Sequence, residues 1–118
     1  MAKYKKEIGA WGEEVAADWL VKRGYQVTAR NIRTPYGEID IIAQNGDVTV
    51  FVEVKTLTST KTLLPEHNIT PRKREHMVNA AQQYTAEHEI DHWQIDVISV
   101  EGKPNGEYPI ITHFENAV

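Results

Sequence analysis

The sequence predicts an α/β domain, one mixed central sheet flanked by helices, with elements in the order α-β-β-β-α-β-β. Three observations predict it. Two stretches place apolar residues at helical spacing, near each end of a block of strand-like runs. The dipeptide Asn45-Gly46 joins two runs of alternating or continuous apolar residues, a strong short-range hairpin signal. The chain has 118 residues, 41% apolar and 25% charged, which suits one globular domain over residues 1–118.

The elements follow in order. Over residues 4–23, Ile8, Trp11, Gly12, Val15, Ala16, Trp19 and Leu20 fall on one side of a helix, and Gly24 is a natural stop. Residues 25–33 read as a strand, and 37–44 and 47–55 as two stronger ones. Residues 56–70 have no clear period and read as a long loop of the kind often tied to function. Thr70-Pro71 opens a second helix, with Thr70 as N-cap and Pro71 in the first turn, running to about Glu89. Residues 93–100 and 108–114 complete the set as strands.

Composition excludes several classes of function. There is no cysteine, so disulfides, thiolate catalysis and Cys-ligated zinc are ruled out. No apolar run approaches a membrane span, and the N-terminus lacks the apolar core of a signal peptide. A cytoplasmic protein with no membrane partner is expected. The net charge of −4 hides an asymmetry. Residues 1–74 hold twelve of the 13 Lys and Arg and nine of the 17 Asp and Glu, for +3; the rest carry −7. Such a split can seat a polyanion on one surface, or it can be a solvated mixed-charge surface.

The hairpin places the chemistry. With Asn45 and Gly46 as the central turn residues, Ala43 faces Val48, Asp40 faces Phe51 and Glu38 faces Glu53. Alternation then puts Ile39, Ile41, Ala43, Val48, Val50, Val52 and Val54 on one wholly apolar face. The other face carries Glu38, Asp40, Ile42, Phe51, Glu53 and Lys55. Like charges this close repel unless something neutralises them. A Mg²⁺ ion, which prefers hard oxygen ligands, would do so through Asp40 and Glu53, with Glu38 and the Val54 carbonyl nearby. Lys55 on the same face suits positioning of a water or stabilising phosphate charge. The alternative is a solvated strand face with weak Glu–Lys pairs.

These residues carry a family resemblance. Asp40 with Glu53-Val54-Lys55 resembles the Asp…Glu-x-Lys signature of the PD-(D/E)XK nuclease superfamily. The surrounding chain is more specific. Gly9-x-x-Gly12-Glu13, Gly24-Tyr25, Asn31-x-Arg33, Gly37-Glu38-Ile39-Asp40 and Phe51-Val52-Glu53-Val54-Lys55 resemble the YraN-like family of bacterial proteins. Lys73, Asp96 and the closing His113-Phe114-Glu115-Asn116-Ala117 also match. That family is similar to archaeal Holliday-junction resolvases.

The resemblance implies a restriction-endonuclease-like core. It implies Asp40 and Glu53 as metal ligands, Lys55 as catalytic lysine and Glu13 as a glutamate that helps build the site. Its Mg²⁺ or Mn²⁺ would serve cleavage of DNA, with Glu38 supporting the ions. Arg33, Arg72, Lys73 and Arg74 are the expected nucleic-acid contacts. Symmetric cutting needs two sites, which makes a homodimer a candidate assembly. Two positions depart from the family pattern: Leu57 and Gln94 stand where arginines are common. They keep a second reading open, a nucleic-acid-binding scaffold with little or no turnover. A third is a protein-binding module docking through the acidic C-terminal part.

Other residues read more plainly. Trp11 and Trp19 sit in the apolar stripe and read as core. The five histidines lack metal-ligand spacing on one helix face and read as surface groups. Arg72-Lys73-Arg74 at a helix start suits a phosphate, or is a solvated basic turn.

Overall fold

The computed structural model describes residues 2–57 and 70–118, with side chains from residue 6 onward. The elements are α1 (Ala2–Lys22), β1 (Gln26–Thr34), β2 (Gly37–Asn45), β3 (Val48–Leu57), α2 (Pro71–Glu87), β4 (Trp93–Glu101) and β5 (Ile110–Phe114). Their order is the expected one. They form a single sheet in the order β1-β2-β3-β4-β5. The β3–β4 pair is parallel and the other three pairs are antiparallel, so the sheet is mixed.

Local chemistry sets the helix ends. Gly24 takes φ +91°, Gly24 N–H donates to Val21 C=O at 3.0 Å and Tyr25 N–H to Leu20 C=O at 2.9 Å. That is a Schellman stop, which a glycine makes at no steric cost. At the start of α2, Thr70 is extended and its hydroxyl accepts from Lys73 N–H at 3.1 Å, with Pro71 next. The helix ends at Glu87, two residues short of the expected Glu89, and Glu89 itself takes φ +53°.

The two helices cover opposite faces. Ala16, Ala17 and Leu20 of α1 pack on Ile41, Ala43, Val50, Val52, Ile98 and Val100. Ala80 and Ala81 of α2 pack on Ile39, Ile42, Phe51 and Ile95. Trp11 and Trp19 pack against the first cluster, as core packing predicts, and Trp93 joins the second, edge-on to Phe51.

Several expectations are corrected. The hairpin register is Asn45↔Val48, Gln44↔Thr49, Ala43↔Val50, Ile42↔Phe51 and Ile41↔Val52, not the expected Ala43↔Val48. The central turn residues are therefore Gly46 and Asp47. Only Gly46 has positive φ (+63°), as a type II′ turn requires of its first central residue; type I′ would need both. Shifting the turn by one residue moves each cross-strand partner by two and leaves the faces unchanged. Glu38 is thus not opposite Glu53. Ile39 is also corrected: it packs in the α2 cluster rather than with Ile41. Next to it, Asn31 takes φ +53° between the pairs Arg30↔Ile41 and Ile32↔Ile39. Simple alternation fails across that residue.

The expected loop over 56–70 begins late, because β3 runs through Leu57, and 58–69 lie outside the described residues. The last strand starts at Ile110, not 108, and Tyr108 is 99% exposed. Among the described residues, no helix is long and apolar enough to cross a membrane.

A candidate carboxylate metal centre

The site lies where the sheet forks. The β2–β3 ladder stops at Ile41↔Val52. Beyond that point β2 stays with β1, through Ile32↔Ile39 and Arg33↔Glu38. β3 stays with β4, through Glu53↔Val97 to Leu57↔Glu101. Asp40 and Glu53 are the first residues past the split. Asp40 Oδ2 takes the hydrogen bond that ladder geometry no longer supplies, accepting from Val54 N–H at 2.8 Å.

Three carboxylates converge there. One oxygen each of Glu13, Glu38 and Asp40 lies within 4.8 Å of the others. Glu13 reaches the fork from α1, and Gly12 is the reason it can. A Cβ at Gly12 would collide with the Thr56 hydroxyl of β3. Only a glycine lets α1 lie this close to the strand. Glu14 points away and pairs with Arg30 at 2.8 Å. With its amide turned so that the nitrogen faces the acids, Asn31 bridges two of them, donating to Glu13 Oε1 at 2.8 Å and Glu38 Oε1 at 3.1 Å. The left-handed backbone at Asn31 accompanies this placement, and asparagine tolerates that conformation better than most residues.

The electrostatics follow from crowding. Burial, then the neighbouring Glu53 carboxylate, push the Asp40 carboxyl up to about 8, although the Val54 N–H pulls it down. Burial, then Glu38, raise the Glu13 carboxyl above its ordinary value. Glu53 itself meets a cation: Lys73 Nζ, from the first turn of α2, lies 2.7 Å from its Oε1. Burial lowers the Lys73 ammonium's pKa, but the Glu53 bond and charge outweigh it, and the net shift is upward.

The expected site residues therefore fall in three groups. Glu13, Glu38 and Asp40 form the carboxylate cluster. Glu53 adjoins it, tied to Lys73. Lys55 is half-buried, two residues further along β3 and on Glu53's side of the strand. Arg72 and Arg74 are exposed on the same turn as Lys73. Arg33 pairs in register with Glu38, at the edge of the fork.

Two features escaped sequence reasoning. Asn31 lies in a matched motif, Asn31-x-Arg33, but an asparagine within a strand run was the only sign of its role. The other is a buried polar cluster at Asp96. Its side chain is fully buried, accepts from Gln94 Nε2 and Asn116 N–H at 2.8 Å each, and lies 2.7 Å from His113 Nε2. It clips the C-terminal segment to β4. Gln94, one of the two departures, serves this cluster.

The Uncharacterised protein family UPF0102 has a sequence model that matches residues 12–100. The chain belongs to this family. It is the family expected above as YraN-like. The UPF0102 match runs from Gly12 to Val100 and so contains every residue of the fork. A UPF0102 protein of Syntrophotalea carbinolica is 37% identical over 119 residues, covering 99% of this chain and 95% of its own. One of Dehalococcoides mccartyi is 41% identical over 103 residues, 86% of this chain and 85% of its own. The solved structure of Pyrococcus furiosus SfsA in complex with Ca²⁺ aligns over 94% of this chain and 63% of its own. Its identity is 13% and its TM-score 0.38, too low to carry any argument.

Proposed function

We propose that this UPF0102 protein is a metal-dependent endonuclease with a restriction-endonuclease-like core, hydrolysing phosphodiester bonds in DNA, branched or structured DNA included. The observation that carries the reading is the meeting of Glu13, Glu38 and Asp40 at the fork, with Glu53 adjoining Asp40 and Lys55 two residues further along β3.

The donor set fits a hard cation. All the donors are carboxylate oxygens, which suit Mg²⁺ or Mn²⁺. One oxygen of each carboxylate lies within 4.8 Å of the other two, close enough for the three to share one cation. Asp40, Glu13 and Glu38 would hold the ion, with Glu53 as a further ligand. A cation here supplies polarisation of the scissile phosphate and acidification of water.

This chain's own residues do the rest. Val54 N–H fixes the Asp40 carboxyl, and Asn31 holds Glu13 and Glu38 in place. Lys55 orients the attacking water and offsets charge on the phosphate. Arg72 and Arg74, with Arg33, bind the flanking backbone. Lys73 is already engaged by Glu53, so it serves the cluster as well as the phosphate. Lys55→Ala tests the assignment. Cleavage should fall by about 10²–10⁴-fold while DNA affinity is nearly kept. Unchanged turnover would remove Lys55 from the mechanism.

A further inference from the structure

A cavity of about 180 Å³ opens beside the carboxylate cluster, between the fork and α2. Folded interiors rarely leave voids larger than a water, and this one has room for on the order of ten. It is smaller than the roughly 300–1,000 Å³ of sites that take drug-sized ligands, so it suits one ring system. Its floor is apolar: Ile39, Phe51, Met77 and Ala80. A hydrated ion or phosphate gains nothing from such a floor. Its mouth is polar and aromatic. The exposed His76 and Tyr36, the latter 44% exposed, both line it. Glu38 and Glu53 belong both to this mouth and to the fork.

We propose that this cavity takes a single unpaired nucleobase from the nucleotide next to the scissile phosphate. The inference rests on the nuclease reading and narrows its substrate. A nucleobase matches both halves of the cavity, with flat apolar faces for the floor and a polar edge for the mouth. Tyr36 offers a stacking surface, which any base can use. The exposed Arg72 and Arg74, on the turn that carries Lys73, supply charge for the adjoining phosphates. A base stacked within a duplex cannot enter, because only an extruded or unpaired one leaves the helix. The substrate class is therefore DNA with an unpaired nucleotide at the cut, as in a bulge, a flap or a branch point.

The test uses the full chain in EDTA, so that nothing is cut. The probes are a duplex with one unpaired 2-aminopurine and the same duplex fully paired. We expect about tenfold tighter binding of the first, with a change in 2-aminopurine emission. Met77→Trp, which fills the half-buried side of the cavity, should bring the two affinities together. Tyr36→Ala, at an exposed position that leaves the core intact, should weaken the preference too. Equal affinities in the wild type, or a preference that survives both variants, would overturn the proposal. In a parallel assay of the same duplexes with Mg²⁺, cleavage that depends on Asp40 but ignores the unpaired base would overturn it and leave the nuclease reading standing. The binding preference in EDTA with no cleavage in Mg²⁺ would support the cavity and remove the nuclease reading.

Discussion

Asp40 is the residue on which most of the physics converges. Its carboxyl titrates near 8 because burial and Glu53 disfavour the charged form. A folded pKa above the unfolded 3.8 means that protonated Asp40 favours the fold. That contribution is complete below about pH 4 and is lost as pH rises through about 8. Glu13 shifts in the same direction. Lys73 is raised from 10.5, so its share is constant across this range and fades only above it. Metal-free protein should therefore melt at progressively lower temperature between about pH 4 and pH 8. Asp40→Asn should flatten that slope, and added Mg²⁺ should reduce it by replacing the proton with a cation. Melting curves across pH check this; an unaltered slope in Asp40→Asn would contradict it.

A different residue governs stability alone. Asp96→Ala strips three partners of their acceptor in a fully buried place. The expected loss is about 3 kcal/mol, read from urea denaturation.

Among the elements, α1 and its contact with β3 decide whether Glu13 reaches the fork. A methyl at position 12 meets Thr56, a short branched side chain that cannot swing clear. Gly12→Ala should cost about 1–3 kcal/mol and weaken Mg²⁺ binding by moving Glu13. Adding Thr56→Ala should recover most of both, because it removes the two atoms nearest the new methyl other than Thr56 Cβ. Calorimetric titration with Mg²⁺ on both proteins would show the coupling.

What the sequence made legible at this scale was whatever local chemistry writes. The Thr70-Pro71 cap, the Gly24 stop and the alternation of β3 and of β2 from Ile41 to Ala43 are examples, and the structure follows all three. The hairpin turn is a close miss. Asn45-Gly46 fits type I′, yet Gly46-Asp47 satisfies type II′ equally well, and the register follows the second. Ile39 was misplaced because alternation assumes a regular pleat, and the left-handed backbone at Asn31 departs from it on the paired strand β1. The Lys73–Glu53 pair lay beyond reach, since it depends on how α2 packs across the sheet. Glu13 was legible only through the family pattern. A helical wheel puts it at a border, and the approach that Gly12 permits brings it inward.

For the molecule as a whole, the charge split acquires a direction. The basic first turn of α2 and Arg33 flank the fork, whereas most of the acids beyond residue 74 lie elsewhere along the chain. Binding to DNA should therefore weaken with salt despite the net charge of −4. Arg72→Gln with Arg74→Gln should lower the slope of log affinity against log salt by about 1 to 2. Filter binding over a salt series would measure it.

The most direct test of the fork is cleavage of labelled linear, single-stranded and four-way-junction DNA with Mg²⁺ or Mn²⁺, comparing the wild type with Asp40→Ala. A cation-dependent cutting site gives metal-dependent cleavage that Asp40→Ala abolishes. Failure of the wild type to cut any of these substrates, or equal cutting by the variant, would contradict it.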